Sequence, residues 1–269
     1  MKKIENIGGY LEIDKDGFII KSATQEKFQK KWKPVIEEIK QAYIEHFGGD
    51  LHSVYIRGSV AKGEAVDNLS DVDTIAIVNL PKDKIDLKWS EKFSTKIDSK
   101  YPFVNGVEIV AGTPEDAVSK NRGVHIMLKT QAVCIYGDDI SEKIGPLKPG
   151  KESAQHFRGI QNELLDTVDF FENGWAENNE EREERCSWIM KRILRTGFEL
   201  VMEREQKYTR DLYPSYVSFA KHYPSKKYDM YEALELAMNP IHDSRVLVPF
   251  LRLWIGWLPG EIERVFNFK

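Results

Sequence analysis

Val54-Tyr55-Ile56-Arg57-Gly58-Ser59 and Asp71-Val72-Asp73-Thr74-Ile75-Ala76-Ile77-Val78 stand eleven residues apart. The first reads as a short apolar strand, Val54 to Ile56, that runs directly into Gly-Ser. The second reads as a strand from Asp73 to Val78, nearly all apolar, as expected where both faces of a sheet are covered. Between them, Arg57 to Ser70 is polar and carries Gly63, so it is expected to be a loop. Glycine after a strand lets the backbone turn sharply and approach a ligand closely. Backbone N–H groups and the Ser59 hydroxyl can then face phosphate oxygens. An ordinary tight turn carries the same Gly-Ser, so this pair alone leaves both readings open.

Asp71 and Asp73 are two apart on a strand, so their carboxylates point the same way. Like charges held side by side call for a cation. Hard oxygen donors suit Mg²⁺, which binds one or two carboxylates together with substrate phosphates. A solvated strand start is the alternative. A third acid, Glu108, interrupts the apolar run Val107-Glu108-Ile109-Val110-Ala111. A buried carboxylate is costly unless it is paired or binds metal. If its strand lies beside Asp73, Glu108 completes an acidic cluster able to ligate metal or take a proton. On a half-exposed edge strand it would instead point outward.

Outward from this centre, Tyr10–Ile13 and Phe18–Ile20 flank Lys15-Asp16-Gly17, which predicts a hairpin. Ser22 and Gln25 resemble a capping box. Phe28, Trp32, Val35, Ile36, Ile39 and Tyr43 recur at helical spacing, and Gly48-Gly49 ends that helix. Further elements are expected at 87–98 (helix), 106–110 (strand), a helix from Thr113-Pro114, and a strand at 133–136. Beyond Leu147-Lys148-Pro149-Gly150 helical periodicity takes over, with helices near 162–171, 187–202, 214–222, 230–238 and 245–257. The acidic stretch Glu177–Glu184 reads as a solvated loop and helix start. The expected plan is an α/β domain with its N-terminal hairpin over 1–147 and an all-α helical domain over 148–269.

Gly-Ser, an eleven-residue loop, Asp-x-Asp and a third acid on a later strand together resemble the DNA polymerase β-like nucleotidyltransferase superfamily, over roughly residues 25–140. That resemblance implies a small mixed sheet backed by helices. It implies that Gly58 and Ser59 hold a triphosphate, that Asp71 and Asp73 hold Mg²⁺, two ions in all, and that Glu108 is the third carboxylate. The helical half is similar to that of aminoglycoside adenylyltransferases and their uncharacterised bacterial relatives, through Lys191–Glu199 and Tyr208–Pro214. By this resemblance Lys191, Arg195 and Arg210 neutralise the triphosphate and Tyr208 contacts the base or the acceptor. Lys191 and Arg195, four apart, also fit the wet face of an amphipathic helix.

The resemblance implies ATP as donor and a hydroxyl-bearing acceptor. A small molecule such as an aminoglycoside is the first reading. A protein or tRNA acceptor is the second, and a non-catalytic nucleotide-binding relative the third. The formal net charge of -4 argues against a surface built wholly to grip nucleic acid and is compatible with polycationic ligands. With 41% hydrophobic and 30% charged residues, the composition is globular. No apolar segment spans a bilayer, and Met1-Lys2-Lys3 leads into no apolar core of a signal peptide, so a cytoplasmic location is expected. Cys134 and Cys186 form no C-x-x-C, and the six histidines show no ligand spacing, which argues against zinc. Ser59 lacks the G-x-S-x-G context of a hydrolase nucleophile. Trp254 and Trp257 read as core.

Overall fold

β1 (Leu51–Arg57) and β2 (Val72–Val78) pair antiparallel at the centre of a mixed five-stranded sheet. This computed structural model describes residues 4–119, 123–174 and 178–266. β3 (Val107–Glu108) and β4 (Ala111–Gly112) run parallel to β2 on its outer side, and β5 (Val133–Gly137) runs antiparallel to β1. Successive residues of β1 and β2 alternate between two buried layers. Val54, Ile56, Val72, Ala76 and Val78 pack with α1 (Lys33–Phe47). Tyr55, Ile75 and Ile77 face a second cluster that includes Ala117, Leu128 and Ile140. Burial on both faces explains why these strands are almost continuously apolar.

α1 buries Val35, Ile36, Ile39, Tyr43 and Phe47, the three-and-four spacing of one helical face. It begins at Lys33, later than the apolar spacing alone suggests. Pro34 stands in its first turn, where a missing N–H costs nothing. The expected capping box does not form, since the buried Ser22 hydroxyl has no hydrogen-bond partner. The segment expected as a loop after β1 contains a short helix, α2 (Gly58–Lys62). α3 (Trp89–Lys100), α4 (Pro114–Val118) and α5 (Val124–Thr130) complete this unit. Thr113 and Asp116 form the capping box of α4.

The single strand expected over 106–110 is split into β3 and β4. The Tyr43 hydroxyl causes the interruption. It accepts from the Val110 N–H (3.2 Å) and shares its one proton between Thr74 Oγ1 (2.7 Å) and the Val110 carbonyl (3.1 Å). Thr74 Oγ1 also donates to the Glu108 carbonyl at 2.6 Å. The bend at Ile109-Val110 is therefore pinned to the first helix through buried hydroxyls.

The chain divides into two units, Ile19–Leu147 and a second formed by the described residues of Met1–Phe18 and Lys148–Lys269. The N-terminal segment, expected with the α/β half, belongs to the helical one. Its polar groups find partners there: Leu11 N–H donates to the Tyr208 carbonyl (2.8 Å), Gly9 N–H to Asp211 (2.9 Å), and the Tyr10 hydroxyl to the Pro214 carbonyl (3.0 Å). Lys15-Asp16-Gly17 does turn, with the Asp14 N–H bonded to the Phe18 carbonyl and single β-bridge residues at Ile13 and Ile19 flanking it, but neither arm is an extended strand. Leu11 bridges Tyr208 instead.

The helical unit contains α6 (Ile160–Glu172), α7 (Asn179–Glu199), α8 (Met202–Glu205), α9 (Leu212–His222), α10 (Lys227–Met238) and α11 (Ser244–Phe266). Asn178 caps α7, which starts within the acidic stretch rather than after it. Glu177, like Met1-Lys2-Lys3, lies outside the described residues. α11 continues through Pro249 and Pro259, beyond the expected end at 257. Trp254 is buried in its core face. Among the described residues no helix is long and apolar enough to cross a membrane.

Tyr43→Phe should lower unfolding free energy by about 1–3 kcal/mol, because it leaves the Val110 N–H without its partner, while the Val110 carbonyl keeps the Ala76 N–H at 2.8 Å. Chemical denaturation of the two proteins measures this.

Candidate active site

Strand register builds the centre of the site. Arg57, the last residue of β1, stands opposite Asp73 in the antiparallel ladder, and Asp73 stands opposite Glu108 in the parallel one. Three neighbouring strands thus set Arg57, Asp73 and Glu108 in one row. Alternation along β1 and β2 sends Arg57 and Asp73 to the sheet face opposite α1, the face of Tyr55 and Ile75. Arg57 NH2 lies 3.0 Å from Asp73 Oδ1 and is ion-paired to Glu108 as well. A guanidinium suits this position because its planar fork offers several donors to carboxylates on both sides.

Gly58 closes the row from below. Its φ is +72°, in the left-handed region, and a Cβ there would lie 2.1 Å from Asp73 Oδ2. Only glycine leaves the Asp73 carboxylate its place. Gly63, at φ +75°, ends α2, and a Cβ on it would strike the Lys27 carbonyl at 2.4 Å. α2 is thereby bracketed by two glycines that no other residue replaces without strain. Ser59 follows Gly58 in the first turn of α2 and is partly buried.

The three acids differ in setting. The Asp73 side chain is 20% exposed and that of Glu108 47% exposed. Of the two settings open to Glu108, the exposed one is found: it stands on a two-residue edge strand where water reaches it. Its in-register place beside Asp73, rather than burial, is what brings it to the site. Asp71 is exposed, just before β2. Among the described residues no three His, Cys, Asp or Glu side chains converge as a ready-made metal cage. Two carboxylates already sharing one cation do fit Mg²⁺, which takes few protein oxygens and completes its shell with phosphates and water. Sequence reasoning assigned Arg57 no role. The signal available to it was position, since Arg57 ends the strand immediately before Gly58.

Lys191, Arg195, Tyr208 and Arg210 belong to the helical unit and are described within it. Lys191 and Arg195 are partly buried, and Tyr208 is 3% exposed. Arg195 Nε donates to the Arg210 carbonyl at 3.1 Å. Burial, and then the like charges of Arg210 and Arg192, pull the Arg195 guanidinium down to about 9. This is not the setting of a freely hydrated helix face. Arg192 is held by Glu163 (2.6 and 2.7 Å), His156 Nδ1 (2.6 Å) and the His156 carbonyl (3.0 Å). Beside it, Glu199 accepts the N–H groups of Gln155, His156 and Phe157, each at 2.8 Å. Burial pushes the Glu199 carboxyl up to about 7 against the pull of these donors and of Arg192. The His156 imidazole is held well below its ordinary 6.5, by burial first and then by Arg210, Arg195 and Arg192. Arginines, a neutral histidine and one enclosed acid thus form a cationic cluster inside this unit.

No protein-family model matches the sequence, and no curated protein matches it. Solved structures do match. The chain shares its fold with a spectinomycin adenyltransferase. That protein, AAD(9) from Enterococcus faecialis, was crystallised with ATP and spectinomycin. The two superpose with a TM-score of 0.50 at 15% identity, over 86% of this chain and 99% of that one. This chain's mixed α/β sheet and the helical region that follows it agree with the fold class implied by the motifs.

Two outcomes are expected. Gly58→Ala should cost about 1–2 kcal/mol from its left-handed backbone alone, more with the Asp73 clash, read by denaturant unfolding. Because folding favours neutral His156, its contribution to stability is present above pH 6.5 and is lost as pH falls below that value. The drop in melting temperature from about pH 7.5 to about pH 5 should be smaller in His156→Gln than in the parent protein.

Proposed function

We propose that this protein is a nucleotidyltransferase that moves AMP from ATP to a hydroxyl of a small acceptor and releases pyrophosphate. The observation that carries the reading is the acid pair Asp73 and Glu108, set in register on neighbouring strands against the Gly58 turn. The shared fold with an ATP- and spectinomycin-bound adenyltransferase supports it. That neighbour's ligand favours a small hydroxylated acceptor, such as an aminoglycoside, over a protein or tRNA.

In this reading Asp73 and Asp71, with Glu108, hold Mg²⁺ together with the nucleotide. When bound, Mg²⁺ supplies charge neutralisation on the triphosphate and the departing pyrophosphate. Gly58 leaves room for the phosphates to approach the backbone, and the Ser59 hydroxyl hydrogen-bonds them. Glu108, the most exposed of the in-register groups, takes the proton from the acceptor hydroxyl. The acceptor oxygen forms its bond to the α-phosphorus as the bond from that phosphorus to the bridging oxygen breaks. The electron pair leaves with pyrophosphate. Within the helical unit, the expected phosphate-binding role of Lys191, Arg195 and Arg210, with Tyr208 beside them, is supported by the like charges of Arg195, Arg210 and Arg192 gathered in partly buried surroundings.

Incubation with labelled ATP, Mg²⁺ and a panel of aminoglycosides should yield an adenylylated small molecule. Label appearing only on protein or tRNA would replace the small acceptor with a macromolecular one. Asp73→Asn should reduce transfer by about 10²–10³-fold or more. Unchanged transfer in that variant would remove Asp73 from the site.

A further inference from the structure

Arg57 stands where the reaction needs a divalent cation. Its guanidinium is bonded to both Asp73 and Glu108, and the in-register pairing of three strands leaves it no other row. It is rooted in β1, so its charge arrives with the fold rather than from solution. Any divalent ion approaching the pair must displace it. Arg57 also directly precedes Gly58 and Ser59, so phosphates bound at that turn lie within reach of its long side chain. A guanidinium binds phosphate as readily as carboxylate. An incoming triphosphate therefore offers Arg57 a second anionic partner at the moment the carboxylates are wanted elsewhere.

We propose that Arg57 is a built-in counter-ion that guards the Asp73–Glu108 pair against free divalent cations and releases it when nucleotide binds, so that metal and nucleotide bind synergistically. This rests on the nucleotidyltransferase reading. Three consequences follow from charge alone. Without ligands, Arg57 offsets the repulsion between two facing carboxylates and stabilises the sheet edge. With metal alone, the ion must compete with a tethered cation and binds weakly. With nucleotide present, the guanidinium moves to the phosphates and the ion meets two unopposed acids.

The test is Mn²⁺ binding, followed by the paramagnetic signal of the free ion, with the parent protein, Arg57→Gln and Arg57→Lys. Each is titrated with and without a nonhydrolysable ATP analogue, and binding is counted only as Mn²⁺ removed beyond what the analogue chelates in a protein-free titration. Thermal unfolding without metal confirms that each variant is folded. Arg57→Gln should bind Mn²⁺ alone about tenfold or more tightly than the parent, within the usual range of coupling between sites. Its gain in Mn²⁺ affinity on adding the analogue should shrink accordingly. Its metal-free melting temperature should fall and should recover on adding Mn²⁺, whereas Arg57→Lys, which keeps the charge, should stay close to the parent in Mn²⁺ affinity. If the parent binds Mn²⁺ with the analogue but Arg57→Gln binds Mn²⁺ alone no more tightly, the counter-ion role is overturned and the nucleotidyltransferase reading stands. If no form binds Mn²⁺ under either condition, the nucleotidyltransferase reading falls and the counter-ion role falls with it.

Discussion

The antiparallel register of β1 against β2 governs the α/β unit. It sets Arg57 opposite Asp73, and it presses Gly58 against the Asp73 carboxylate so closely that a methyl group would not fit. The same register sorts the strand residues into two buried layers, one over α1 and one over the cluster around Leu128 and Ile140. A slip of one residue would exchange these layers and turn Arg57 and Asp73 into the core under α1. Burial of both layers therefore holds the polar row in place. The apolar drive that folds the sheet also positions the charged groups.

The helical unit meets a different constraint. Its cluster of Arg192, Arg195 and Arg210 places like charges in partly buried surroundings, and the fold offsets them by several routes. Glu163 takes the Arg192 fork, the His156 imidazole stays neutral, and backbone carbonyls accept what remains. Glu199, with three backbone donors converging on it, ties the segment before α6 to the end of α7. These are expensive groups to enclose, and Arg192, Arg195 and Glu199 each have a named partner.

Much of the α/β unit was legible because its signals are local. The apolar runs of β1 and β2, the Gly-Ser step and the spacing of α1 each depend on residues near one another in the chain. What escaped was non-local. Arg57 gains its role from two other strands, and nothing in its immediate neighbours points to Glu108. The apolar neighbours of Glu108 left burial and an exposed edge equally open, and only the pairing of its two-residue strand with β2 decides for the edge. The N-terminal segment carries hairpin chemistry at Asp16-Gly17, but its hydrogen-bond partners lie at Tyr208 and Asp211, far along the sequence. Pro34 delayed α1 by an effect the apolar spacing alone does not encode.

The interruption between β3 and β4 also bears on how the molecule avoids its own kind. A long, straight outer strand presents a row of unpaired backbone groups to which another chain can add itself. Here the outer strand is broken into two short pieces by the Tyr43 hydroxyl, and the piece facing solvent carries a charged side chain at Glu108. The edge that holds Glu108 is thus a poor template for a further strand and is protected from strand-to-strand aggregation.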